Sequence, residues 1–309
     1  MFLSTVFDFS QKCLSVKTER HFCFINLLEN NMVKNHNGIE DTKSFSTVVN
    51  SLRSFFINRG FLEVHTQDRL SILAACEDPS TVATYNYLGD VWPLPQTGQM
   101  WLEYELLKNP DVAGYFCVST SYRNEQNPVE GRHKFIFPMF EFESKGNIED
   151  LLNMEKELLE HLGFTKEKFG EKTYDERTEK DGTDDLSWKE EGNIYEDFGS
   201  TVFLKKFPIR TSPFWNMKKE GEYARKIDVI ISGHETIGSA ERSSDIDEMR
   251  KQFHTISDGG YAGKLYELFG HDRVEKELEE FLSFDFFPRF GGGIGISRLI
   301  DGMKKEDLL

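Results

Sequence analysis

Three groups of residues, far apart in the chain, have the types and spacing to hold an anion beside a cation. The first is Ser121–Glu143, SYRNEQNPVEGRHKFIFPMFEFE. It opens on Arg123 and Glu125, passes through a polar Pro/Gly segment, and returns through Arg132 and His133 into an aromatic run carrying Glu141 and Glu143. Arginine near carboxylates suits a phosphate held beside a cation or an amine. The second is Asp228–Arg242, DVIISGHETIGSAER, where Asp228 and Glu235 flank a turn after an apolar strand and Arg242 follows. Two carboxylates near strand ends suit a hard, oxygen-preferring cation such as Mg²⁺. The third is Gly291–Arg298, GGGIGISR, whose glycines permit close backbone approach to a ligand or a neighbouring strand, with Arg298 at a helix start. A solvated surface hairpin and tight strand–helix packing are the structural alternatives for the first and third.

The glycine run lacks the terminal Lys-Ser/Thr of a Walker loop. It also lies within about 20 residues of the C-terminus, which leaves no room for the next strand and ribose-binding acid of a dinucleotide fold.

These groups need a scaffold, and the hydrophobic pattern supplies one. Ser121–Glu143 reads as strand, long polar hairpin and returning strand; the excursion of about a dozen residues exceeds the two to five of a simple turn. Thr42–Asn58 has helical spacing and is stopped by Gly60, and Phe61–Thr66 alternates as a short strand. Trp92–Lys108 begins extended, turns at Thr97–Gly98 and continues as a helix with Met100, Leu102, Leu106 and Leu107 on or near its buried side. Further strands are expected at Gly114–Ser121, Thr201–Phe207 and Lys226–Ser232, and helices at Asn147–Gly163, Asp245–Thr255 and Val274–Phe281. Residues 164–197 are dense in Glu, Asp and Lys with little periodicity and read as a solvated insertion or mobile loop. Residues 1–40 show no sustained period and read as an extension, with Met32 a candidate start. Strand–loop–strand patterning favours an α+β fold, an antiparallel β-sheet flanked by helices with the site on one face, over alternating βαβ units.

The totals narrow the function. Hydrophobic content of 38% with 13% aromatics supports a core, and the 27 phenylalanines point to a sheet with aromatic faces. A formal charge of −16 argues against a broad electrostatic footprint for nucleic acid. The four cysteines have no C-x-x-C spacing, so free thiols in a reducing cytoplasm are expected, with neither zinc nor disulfides. No apolar run approaches the roughly 20 residues of a membrane span. The start, MFLSTVFDFSQKCL, lacks the basic segment and small-residue cleavage site of a secretory leader.

The Arg-x-Glu with downstream Arg-His and Phe, and the terminal Gly-rich segment ending in Arg, resemble motifs 2 and 3 of the class II aminoacyl-tRNA synthetases. The aspartate/asparagine/lysine group is the nearest branch, and within it the asparaginyl enzymes and archaeal-type asparagine synthetases. The helix with GFLEVHT (Gly60–Thr66) resembles motif 1. TGQMWLE (Thr97–Glu103) and SPFWNMK (Ser212–Lys218) resemble asparaginyl-type segments. The resemblance spans roughly residues 45–303 and places the catalytic domain at 41–309.

It implies roles position by position. Arg123 would hold the α-phosphate of ATP and the carboxylate being activated, and Glu125 would accept from the adenine amino group. Arg132 and His133 would meet the outer phosphates, Phe137 would stack on adenine, and Arg298 would clamp the γ-phosphate. Asp228 and Glu235 would carry Mg²⁺. Glu77 and Gln99 fall where the family binds the amino-acid backbone, and Arg242 where it binds the side-chain carboxylate or amide oxygen. Leu102 stands where aspartyl enzymes have lysine, and Glu103 matches the asparaginyl type, where an acid accepts from an amide NH₂. Aspartate or asparagine is therefore the expected substrate, activated as its adenylate by an ATP-dependent ligase. The chain departs from the family at Gln67, in place of the motif 1 proline of the homodimer edge, and in having only about forty residues where an anticodon-binding barrel needs about a hundred. Three readings follow: transfer to tRNA by a free-standing catalytic domain, transfer to ammonia as in an asparagine synthetase, and a regulator that binds amino acid or nucleotide without turnover. The intact charges of Arg123, Glu125, Glu235 and Arg298 weigh against the last.

Overall fold

The computed structural model describes residues 41–66, 70–74, 77, 79–126, 134–186, 188–211 and 214–309. Arg132, His133, Gln67 and the extension 1–40 therefore lie outside the described residues. Helix α1 (Thr42–Asn58) starts where Asp41 Oδ1 accepts the backbone N–H of Ser44 at 3.0 Å. Its apolar stripe, Val48, Val49, Leu52, Phe55 and Phe56, is buried. Gly60, at φ +80°, turns the chain into β1 (Phe61–Glu63).

There follow β2 (Thr84–Tyr87), β3 (Asp90–Pro93), α2 (Gln99–Lys108), β4 (Gly114–Tyr122), β5 (Ile136–Lys145), α3 (Ile148–His161) and β6 (Phe169–Thr173). Next come α4 (Tyr174–Asp181), α5 (Trp188–Phe198), β7 (Thr201–Pro208), β8 (Lys219–Glu220), β9 (Tyr223–Ile231) and β10 (His234–Arg242). The chain continues through α6 (Ile246–Thr255), α7 (Gly260–Phe269), α8 (His271–Leu282), β11 (Arg289–Gly295) and α9 (Ile296–Lys305). No described helix is long and apolar enough to cross a membrane.

A nine-stranded sheet runs in the order β1-β4-β5-β11-β10-β9-β7-β6, with β8 on β9. Its central pairings are antiparallel, as expected; β1–β4 and β6–β7 at the two ends are parallel. Each parallel pair is joined by a crossover, through α2 in the first case and through α4 and α5 in the second.

Strand alternation separates the two faces of this sheet. Phe116, Phe140, Phe142, Ile227, Val229, Ile237, Phe290 and Ile294 pack with residues of α1, α3 and α9 in one core. Phe116 and Phe140 stack at 5.2 Å and 12°, and Phe56 of α1 sits 5.1 Å from Phe140. The intervening residues, among them Glu141, Glu143, Asp228 and Arg242, line the opposite face. There α2 covers one end, packing Leu102 and Leu106 on Tyr115 and Cys117.

Residues 164–197 correct the expectation of a solvated loop: they form the edge strand β6 and helices α4 and α5. Thr173 caps α4 in a reciprocal box with Glu176. Arg177, fully buried, pairs with Asp181 at 2.6 Å and with Asp197. Charge density that reads as solvation in the sequence is here internal pairing. The sequence reading also passed over the β2–β3 hairpin, strand β10 and helix α7.

Candidate active site

The open face carries two charged clusters. In the first, β10 and β11 set Arg242 opposite Arg289 in register. Both guanidiniums are buried, and like charges across a ladder are tolerated only when each is neutralised. Arg242 Nη2 donates to Glu143 Oε1 at 2.5 Å and to Gln99 Oε1 at 2.6 Å, and Nε donates to Glu143 Oε1 at 3.1 Å. Arg289 donates to Glu103 Oε2 through Nε at 3.0 Å and Nη2 at 2.8 Å, and through Nη1 to the Ser243 carbonyl at 2.9 Å. Glu103 Oε1 accepts from Asn216 Nδ2 at 2.7 Å. Burial pushes the Glu143 carboxyl up to about 7 despite the opposing Arg242 charge. Its Oε2 has no hydrogen-bond partner among the described residues.

Gly291 pairs with Glu143 across β5 and β11, and a Cβ there would stand 1.9 Å from Glu143 Oε1. The glycine run thus lets a carboxylate lie flat over the backbone. Gly291→Ala is expected to destabilise the fold by about 1–3 kcal/mol through overpacking. Gly295→Ala, whose nearest neighbour would be 3.7 Å away, is the tolerant control. Equal urea midpoints for the two variants would show that the close approach does not matter.

Beside this cluster, Glu141 accepts from the Gly98 N–H at 2.8 Å and from the hydroxyls of Thr97 and Ser119. Burial raises its carboxyl above the usual range while these donors oppose the shift. Glu77 accepts from the backbone N–H groups of Ala74 at 2.5 Å and Gln96 at 3.3 Å. It is pushed up to about 8, chiefly by burial, with the Glu141 charge adding to the rise and Arg123 opposing it.

The second cluster lies toward β9 and α9. Asp228 is in register with Gly238, where a Cβ would stand 3.1 Å from Glu235 Oε1 and 3.7 Å from Asp228 Oδ1. Both carboxylates therefore reach the hollow above one glycine. Lys226 Nζ donates to Asp228 Oδ2 at 2.8 Å. Arg298, in the first turn of α9, donates Nη1 to the Glu235 carbonyl at 2.6 Å. Among the described residues no group of three or more His, Cys, Asp or Glu side chains could hold a metal. Two carboxylate oxygens over an empty glycine position nonetheless fit Mg²⁺, which takes one or two carboxylates and completes its shell with water and phosphate oxygens.

At the mouth of the β4–β5 hairpin the Arg123 N–H closes on the Phe135 carbonyl at 2.8 Å, and its guanidinium lies 5.6 Å from the Phe137 ring centre. Glu125 is half-buried nearby in sequence.

The structure thus brings together Gln99, Glu103 and Arg242, brings together Asp228, Glu235 and Arg298, and sets Glu77 near Glu141 and Arg123. Glu103 is held in place by Arg289 on one oxygen and Asn216 on the other, beside Arg242. Arg289, Asn216 and Lys226 were not singled out in the sequence, and Glu141 and Glu143 were noted there without a role. The signal for the last two was present, because Phe140 and Phe142 alternate with them at the strand period.

A mixed sheet with a charged, glycine-floored face and helices behind it is the catalytic fold of class II synthetases. Residues 28–308 match the family model "tRNA synthetases class II (D, K and N)", and the chain belongs to that family. Among curated relatives, the aspartate–tRNA(Asp) ligase of Pyrobaculum aerophilum is 21% identical over 284 residues, covering 84% of this chain and 62% of that protein. The cytoplasmic asparagine–tRNA ligase of Mus musculus is 24% identical over 256 residues, covering 71% and 45%. This chain therefore spans less than two thirds of their length. Of solved structures, asparaginyl-tRNA synthetase from Pyrococcus horikoshii complexed with asparaginyl-adenylate superposes with a TM-score of 0.69 at 20% identity, covering 86% of this chain and 65% of that one. At that identity the likeness establishes the fold.

Proposed function

We infer that this chain activates asparagine or aspartate with ATP, forming an aminoacyl-adenylate and releasing pyrophosphate. The carrying observation is the placement of Arg242, held between Gln99 and Glu143, on the same sheet face as the Asp228–Glu235 hollow and Arg298. Attack of an α-carboxylate on the α-phosphorus demands positioning and neutralised charge, with little covalent help from protein. Arg123 would neutralise the reacting carboxylate and α-phosphate, with Phe137 beside it for the base and Glu125 for the adenine amino group. Arg132 and His133 would meet the outer phosphates, and Arg298 the γ-phosphate. Glu77, Gln99 and Glu141 would take the amino-acid ammonium and backbone. Asp228 and Glu235 would hold Mg²⁺, which when bound supplies charge neutralisation at the phosphates.

The side-chain end favours an amide. Glu143 already balances the Arg242 charge, so a substrate carboxylate would add a second negative charge beside it. A carboxamide could accept from Arg242 and donate to the unpartnered Glu143 Oε2. Transfer to tRNA is the acceptor reading that the relatives' names support. Transfer of an aspartyl group to ammonia is the second reading, favoured by the net charge of −16. A homodimer through the α1–β1 edge, where Ile57 and Leu62 are 55% and 51% exposed, completes the proposal, with a cytoplasmic setting.

Pyrophosphate exchange across the twenty amino acids is the test. Asparagine-dependent exchange is the expected result. Exchange with aspartate, together with ammonia-dependent AMP release without tRNA, would select the second reading. Exchange with none of the twenty would overturn both.

A further inference from the structure

Lys226 precedes Asp228 by two positions on β9, so their side chains share the open face. Its ammonium lies 2.8 Å from Asp228 Oδ2 and 4.1 Å from the ring centre of Phe207 on the neighbouring strand β7. A cation set between a carboxylate and a ring face is held in place, and this one is 25% exposed against 8% for its partner. The other oxygen of Asp228, with Glu235 Oε1, borders the hollow above Gly238. One oxygen of the carboxylate is thus matched to a protein cation, and the other converges with Glu235 Oε1 above Gly238. Arg298, anchored on the Glu235 carbonyl, brings a second fixed positive charge to the same region.

Resting on the reading above, in which this hollow takes the divalent ion that accompanies ATP, we propose that Lys226 is the resident counter-cation of the phosphate subsite. It neutralises Asp228 before nucleotide arrives and weakens the attraction of the pair for a free divalent ion. When the triphosphate enters, the same ammonium adds a positive charge facing the phosphate oxygens. The pair carries two negative charges and Lys226 cancels one of them. A bare divalent ion therefore meets a weaker attraction than it would find without the lysine. The order of events follows: the ion enters with ATP and does not pre-load the site.

The test uses the full chain and two probes, Mn²⁺ alone followed by electron paramagnetic resonance and ATP in chelator followed by calorimetry. Lys226→Met keeps an unbranched apolar side chain and removes the charge; Lys226→Gln is a second neutral variant should the first not fold, and Lys226→Arg keeps the charge. Each neutral variant is expected to bind Mn²⁺ about tenfold more tightly than the wild type, the scale of one charge removed beside a partly solvated ion. It is expected to bind metal-free ATP about tenfold more weakly on the same grounds. Lys226→Arg is expected to stay at wild-type values for both. Equal Mn²⁺ affinity in the wild type and the neutral variants, with Asp228→Asn weaker, would overturn the role of Lys226 alone. Mn²⁺ binding by Asp228→Asn at the wild-type level would instead remove the metal reading on which the proposal rests.

Discussion

Arg242→Met is expected to abolish pyrophosphate exchange and to lower stability by about 3–5 kcal/mol, the range for breaking a buried ion pair from one side. The guanidinium has three hydrogen bonds to Glu143 and Gln99 and is 1% exposed, so its loss leaves the buried Glu143 carboxylate without its cation. The size of the loss depends on pH. Glu143 is already pushed up to about 7 with the arginine present, and without it the carboxyl rises further. The variant can therefore relieve its buried charge by taking up a proton in mildly acid solution and loses that relief as pH rises. Urea unfolding should show the deficit growing from pH 6 to pH 8.5. Adding Glu143→Gln removes the orphaned charge and should recover at least half of the lost stability, with exchange still absent. A double variant no more stable than Arg242→Met would mean that the arginine acts through packing and not through Glu143.

What the sequence disclosed about this face follows from how far its signals travel along the chain. The β4–β5 hairpin was legible because aromatic and acidic residues alternate at the strand period up to Glu143. Asp228 and Glu235 were legible as a pair because they bracket a tight turn, where Ser232 and Gly233 both take positive φ, 49° and 82°. The start of α9, with Arg298 in its first turn, was marked by the end of the glycine run. The pairing of Glu103 with Arg289 was not legible: these residues lie 186 positions apart, and nothing local distinguishes a buried ion pair from two surface charges. The same limit explains residues 164–197. Their composition suggested solvent, yet the Thr173–Glu176 capping box was a local helix signal in the sequence, and only the fold shows that Arg177 is enclosed by Asp181 and Asp197. Strand β10 was missed for a related reason. HETIGSAER lacks the apolar alternation by which strands are recognised, because its open-face positions belong to the site and two of its opposite-face positions are Ser239 and Glu241, which bond to Glu155 and to the Ile148 N–H.

Glu155 is expected to govern part of the pH dependence of folding from the opposite side of the sheet. It is fully buried on α3, accepts from Ser239 Oγ at 2.6 Å, and its second oxygen has no partner among the described residues. Burial pushes its carboxyl up to about 8, with the nearby Asp228 charge adding to the rise and Ser239 opposing it. In the unfolded chain the same group titrates at its ordinary value, 4.5. Between those two pH values the folded protein holds a proton that the unfolded chain has released. Stability from this group is thus full below about pH 4.5 and declines as pH rises to about 8. The whole decline amounts to several kcal/mol at most, on the order of 1.4 kcal/mol per unit of displacement. Glu155→Gln copies the protonated acid, since its amide can donate to Ser239 Oγ and leave the serine hydroxyl for the Ile227 carbonyl, 3.1 Å away. The variant should match the wild type near pH 5 and exceed it at pH 8.5. Glu77, Glu141 and Glu143, whose carboxyls are also raised, titrate in both proteins, so the difference between the two pH profiles isolates Glu155. Parallel urea midpoints across that interval would show that the buried carboxyl is not protonated in the folded protein. Its unpartnered oxygen would then have to be satisfied by water between α3 and the sheet.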